Sequence, residues 1–170
     1  MPARSPAPPA TPDATLRALV ARLAPAEQRL VRALRTALRK RLPRANELLY
    51  DYGRFMVLSY SPTEHGIHGV VALSARPDGV YLYFLNGPKL RDPEKLLQGT
   101  GRQTRFIRVE SARVLAVPAV EALVKAAIEA APVPFAAGAK GRLIVRTDGT
   151  KKRPKAKPAK RARSRVRKGT

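Results

Sequence analysis

The chain has neither cysteine nor tryptophan among its 170 residues. Without thiols, disulfide frameworks, thiol catalysis and cysteine-ligated metal centres are excluded. Histidine is nearly absent as well: only His65 and His68 occur, both within one short stretch. Aromatic residues make up 5% of the chain, so aliphatic side chains must fill most of any core. Acids are scarce, with 12 Asp and Glu against 34 Lys and Arg and a formal net charge of +22. No apolar run approaches the roughly 18 residues that mark a membrane-spanning helix. The N-terminal stretch lacks the apolar core of a secretory signal. These absences point to a cytoplasmic protein, with the nucleoid as one candidate location.

What is present is charge of one sign, and it is concentrated. Residues 140–170 carry fourteen Lys and Arg and one acid, Asp148. That segment holds Pro154 and Pro158 and no aromatic residue. It cannot bury enough apolar surface to offset its own ordering, so it is expected to be disordered in isolation. A flexible cation of this density has a polyanion as its generic partner, because neutralising phosphates releases condensed counterions. Lys151, Lys152, Arg153, Lys155, Lys157, Lys160, Arg161, Arg163, Arg165, Arg167 and Lys168 are the candidate phosphate contacts. The segment has no ring to stack and no rigid element to enter a groove, so binding should not depend on sequence. A membrane surface is a poorer partner, since bulky apolar anchors are missing. The competing readings are a solubilising tail without a ligand and, at Lys151-Lys152-Arg153, a nuclear import signal.

The rest divides into a proline-rich leader over residues 1–12, expected to be disordered, and a folded domain over 13–147, with the basic tail at 148–170. Asp13 reads as a helix N-cap, followed by Leu16, Leu19, Val20 and Leu23 at helical spacing. Pro25 opens a second helix running to about Leu42. Leu30, Val31, Leu34, Ala37 and Leu38 line one face of it, and Arg32, Arg35 and Arg39 another. Residues 45–52 suggest a short helical turn. Apolar runs at 55–60, 69–74, 80–85 and 104–109 read as strands, and Arg76-Pro77-Asp78-Gly79 as a hairpin turn. Residues 92–97 suggest one capped helical turn, 118–131 a third helix, and 142–146 a short edge strand. The economical arrangement is α+β: a single antiparallel sheet of about four to five strands, with the N- and C-terminal helices packed on one face.

The run Tyr81-Leu-Tyr-Phe-Leu-Asn-Gly-Pro-Lys-Leu90, then Asp92-Pro93, Leu96-Leu97-Gln-Gly-Thr-Gly-Arg102 and Arg105-Phe-Ile-Arg-Val109 is similar to the YdhG-like family, a domain of unknown function. Arg102 stands where that family usually has Lys. The helix from Pro25 to Pro43, then Glu47 and Gly53, resembles the family's opening, and the likeness extends over roughly residues 25–155. It implies a compact sandwich similar to frataxin, and one branch of the family is linked to iron delivery for cluster assembly. Frataxin-type iron binding uses an acidic ridge. Residues 13–42 here have only Asp13 and Glu27 as acids against eight Lys and Arg, a surface that repels hard cations.

No catalytic constellation stands out, so a non-enzymatic protein without a cofactor is expected. Gly99-Thr100-Gly101-Arg102 leads into a strand and lacks the ending of a phosphate loop. With Arg105 it could still hold a small anion through backbone N–H groups. Glu64, His65 and His68 share a loop, but an exposed polar loop explains them better than a metal site. Ser59, Ser61 and Thr63 lie near those histidines without the spacing of a triad. Glu47 and Asp51 would pair on one face of a helical turn, with Arg44 and Arg54 as balancing charges. The leading function is nucleic-acid binding through the tail, aided by Arg32, Arg35 and Arg39. The alternatives are an iron-chaperone-like or small-anion-binding protein, and an enzyme with a pocket near Arg102, Arg105 and Tyr83. The oligomeric state stays open.

Overall fold

A computed structural model describes residues 10–147. The expected leader, except for its last three residues, and the basic tail at 148–170 with its eleven candidate phosphate contacts lie outside the described residues. Helix α1 spans Pro12–Ala21 and α2 spans Pro25–Arg41. Strands β1 (Asn46–Asp51), β2 (Met56–Ser61), β3 (Val71–Arg76), β4 (Gly79–Phe84) and β5 (Arg105–Val109) follow, then helix α3 (Pro118–Glu129) and strand β6 (Leu143–Arg146). The six strands form one sheet in the order β5-β4-β3-β2-β1-β6. Strands β1 to β5 are an antiparallel meander, whereas β6 runs parallel to β1 at the edge. The sheet is therefore larger than expected, and mixed. An antiparallel edge strand needs only a hairpin, but the chain reaches β6 from α3 and must travel back before pairing.

The helices begin and end where local chemistry dictates. Pro12 and Pro25 each occupy a first-turn position, where a missing N–H costs nothing. The α1 cap is Thr11, whose hydroxyl accepts from the Ala14 N–H at 3.2 Å. Asp13 instead sits in the first turn, where its charge complements the helix dipole. Arg39, Lys40 and Arg41 close α2 on its negative end. Arg41 also donates to the Leu115 carbonyl at 2.8 Å, fastening α2 to the 3-10 turn Ala112–Ala116 that leads into α3.

One side of the sheet is the core. Leu49, Leu58, Leu73, Leu82 and Ile107 lie side by side across five strands. They pack with Leu16, Leu19, Val31, Leu34, Leu38, Val120, Leu123 and Val124 from all three helices in a single cluster. Each such side chain contributes about 1.5–3 kcal/mol when removed from water. The sheet is thus covered by helices on one side, as expected.

Two further local expectations fail. Residues 45–52 are not helical; they hold strand β1. Leu48 and Leu49 are both buried, on opposite faces, so β1 lacks the polar–apolar alternation that identifies a strand. Residues 92–97 form a turn rather than a helix. The Asp92 carboxylate accepts from the N–H groups of Leu96 (3.0 Å) and Leu97 (2.7 Å), as a cap would. Lys95 takes a left-handed conformation (φ 54°), and no helix continues through that.

Candidate functional site

The arginine row of α2 does not face solvent as a unit. Arg35 turns inward, and its Nε and terminal nitrogen donate to Glu47 at 2.9 and 2.7 Å. Glu47 projects from β1 into the helix-covered side and is 4% exposed. Tyr60, its neighbour across β2, donates to the same carboxylate at 3.2 Å. The hydrogen bond to Glu47 keeps the Arg35 guanidinium more firmly protonated than usual. Burial pushes the Tyr60 phenol well above its ordinary range, and the adjacent carboxylate pushes it the same way. Arg39 approaches Glu47 only to 4.0 Å and stays over half exposed. Arg32 is exposed and bonded to Gln28 at 3.2 Å. Of the three, Arg32 and Arg39 remain open to a ligand, while Arg35 is engaged internally.

The Glu47–Asp51 pairing dissolves for the same reason that residues 45–52 are a strand. In a strand, residues four apart are separated by about 13 Å, beyond any shared proton. Glu47 is balanced by Arg35 and Asp51 by Arg22 (3.1 Å), not by Arg44 and Arg54.

Around Gly99 the loop is closed on itself. Gly99 (φ 98°) lies against the Phe106 ring, and Gln98 exchanges backbone hydrogen bonds with Phe106 at 2.8 and 3.0 Å. The Arg105 guanidinium donates to the carbonyls of Gly101 and Thr104. The loop thus presents oxygens to its own arginine rather than N–H groups to an anion, and Arg102 stands apart, exposed. In the histidine loop, Glu64 pairs with Arg142, and His68 Nδ1 shares a hydrogen bond with the Thr63 hydroxyl at 2.8 Å. The His65 and His68 rings meet edge to face at 5.9 Å. Among the described residues, no three His, Asp or Glu side chains converge as a metal site would require. No described helix is long and apolar enough to cross a membrane.

The helix-free side of the sheet carries what the sequence reading missed. The chain has five Tyr and four Phe, and six of these nine rings gather there. Tyr50 stacks over Tyr52 at 6.1 Å, and Tyr52 on Phe55 at 4.8 Å with planes 16° apart. The Arg76 guanidinium lies 4.8 Å over Phe55 and also donates to the Tyr83 hydroxyl at 3.1 Å. Tyr83 and Tyr81 then both lean on Phe106, at 5.4 and 5.6 Å. Between the two ring groups the floor is made of small residues, Ala72 and Ser74, under a shallow groove of about 200 Å³. Arg108 is paired beside Tyr81 on the edge strand and is exposed. The Asp78 carboxylate accepts from the Tyr81 hydroxyl at 2.9 Å, and that hydrogen bond raises the Tyr81 phenol. The signal was legible as alternation: Val80 to Phe84 places Tyr81 and Tyr83 on the face opposite Leu82.

No protein-family model matches the chain, and no curated protein or solved structure matches it either, so function has to be argued from these surfaces.

Proposed function

We propose that the protein is a non-enzymatic nucleic-acid-binding protein that holds phosphate backbones through basic side chains without reading sequence. The observation that carries this is an excess of unpaired cations on the folded domain. Residues 10–147 contain 22 Lys and Arg against 11 Asp and Glu. Arg17, Arg29, Arg32, Arg102 and Arg108 are all exposed, and none of them pairs with an acid among the described residues. The eleven Lys and Arg between Lys151 and Lys168 add to the same field. Such a surface attracts polyanions over a Debye length and gains counterion-release entropy on contact. The succession of two helices, a meander and a third helix over one side of a sheet also supports kinship with the YdhG-like, frataxin-like sandwich.

The test is fluorescence anisotropy of a labelled 20-base-pair duplex with the full chain, across salt. With roughly 6–10 phosphate contacts, affinity should fall by about 10³–10⁵ between 50 and 200 mM salt. Replacing the eleven Lys and Arg from Lys151 to Lys168 by Gln should flatten that dependence. Binding that ignores salt, or no binding at low salt, would reject the reading.

A further inference from the structure

The aromatic side of the sheet is chemically distinct from the rest of the surface. Solvated sheet faces ordinarily alternate polar side chains outward. Here an aromatic-poor chain commits two-thirds of its rings to the one face that no α-helix covers. Tyr81, Tyr83 and Phe106 are neither buried nor fully exposed, so each keeps part of its surface toward solvent. They stand on β4 and β5, whose register fixes them: Tyr83 lies opposite Phe106, and Tyr81 opposite Arg108. Rigid strands hold such rings more precisely than loops do. The small floor of Ala72 and Ser74 leaves room beside the rings for something flat.

We infer that this face stacks the unpaired bases of single-stranded nucleic acid, with Arg76 and Arg108 meeting the sugar-phosphate chain. This rests on the phosphate-binding reading above and names the form of nucleic acid. A partner for this face must satisfy partly exposed rings and cations together. Single strands offer exposed π faces and a continuous anion, which is how sheet-based stacking platforms engage them. Duplexes hide their base faces in the stack and can use only the cations. An acidic partner protein would answer the arginines but leave the rings facing polar side chains. Asp78 beside Tyr81 is already held by the Tyr81 hydroxyl and does not line the groove.

The absence of tryptophan makes the test direct, because tyrosine emission is then unmasked. The full chain is titrated with a 12-nucleotide oligo-U RNA, an oligo-dT DNA of equal length, and a duplex of equal phosphate number. Anisotropy and tyrosine emission are followed together. Either single strand should quench tyrosine emission saturably, while the duplex shifts anisotropy without quenching. The double variant Tyr81→Leu/Phe106→Leu keeps apolar bulk but removes two π faces. It should weaken single-strand binding by about 10-fold or more and leave duplex binding unchanged. Should that variant misfold, as circular dichroism would reveal, the comparison of strand and duplex quenching in the unaltered chain decides alone. Binding of single strands without quenching, or with equal affinity in the double variant, overturns the stacking inference and leaves the phosphate reading intact. If no anisotropy change occurs with any of the three, both readings fall.

Discussion

Glu47 is the only buried charged side chain among the described residues, and the sequence around it gives no reason to expect a charge there. An unpaired carboxylate in that position would cost several kcal/mol, so its two parallel bonds from Arg35 are a condition of folding. Arg35→Met should lower stability by about 3–5 kcal/mol in urea denaturation, because Arg39 at 4.0 Å and half in solvent is a poor replacement. Adding Glu47→Leu to that variant should recover much of the loss, since both charges are then gone. Tyr60 adds a pH signature. Its folded phenol keeps a proton that the unfolded chain releases near pH 10, so the unfolded state binds fewer protons above that pH. The stabilisation is complete below about pH 10 and should drain by about 1.4 kcal/mol per pH unit above it. Urea midpoints in Tyr60→Phe should show a shallower alkaline decline than the unaltered chain. A parallel decline would mean that other groups set it.

Elements differ in how openly the sequence declares them. The three helices were legible from the spacing of their apolar residues, with proline starts at Pro25 and Pro118 and, in α2 alone, basic residues in the last turn. The β3–β4 hairpin was legible from Arg76-Pro77-Asp78-Gly79, and the structure pairs Arg76 with Gly79 across it. Strand β1 was not legible, because burial on both sides erases alternation and leaves a pattern that also suits a helix. The parallel pairing of β6 was hidden too, since no local signal says which neighbour a short edge strand will choose. At the site, the arginines of α2 could be placed on one face but not aimed, and the rings of β4 and β5 were visible singly but not as a group. Two measurements belong at this scale. Thr11→Ala should cost about 1 kcal/mol by uncapping α1, read as a lower urea midpoint with unchanged slope. Gly141 precedes β6 so closely packed that an added Cβ would overlap the Ala45 carbonyl. Gly141→Ala should therefore lower stability by about 2 kcal/mol and speed hydrogen exchange at β6 before other strands. Uniform acceleration would show that β6 is not separable.

The molecule as a whole is a strongly positive particle, and its stability should report what it meets. Self-repulsion at a net charge of +22 penalises the compact state, so the thermal midpoint should rise as salt goes from about 10 to 150 mM. A fall would mean that screened ion pairs, such as Arg22–Asp51 and Arg142–Glu64, outweigh the repulsion. A single strand at about 100 times its dissociation constant should add about 2.7 kcal/mol, a rise of roughly 5–10 °C at low salt.

The edge position of β6 also has a meaning in the order of biosynthesis. The first strand to leave the ribosome is β1, and the strand that covers its outer edge is the last of the six. Throughout translation of the intervening helix and meander, the donors and acceptors along that edge, from Glu47 to Tyr50, have no partner from β6. A nascent sheet with such an edge can recruit a strand from a neighbouring chain on the same polysome. Glu47 is the sort of inward charge that discourages this, because an intruding strand would have to form beside a carboxylate already claimed by Arg35. The carboxylate that Arg35 must satisfy in the finished core would thus also guard the unfinished edge.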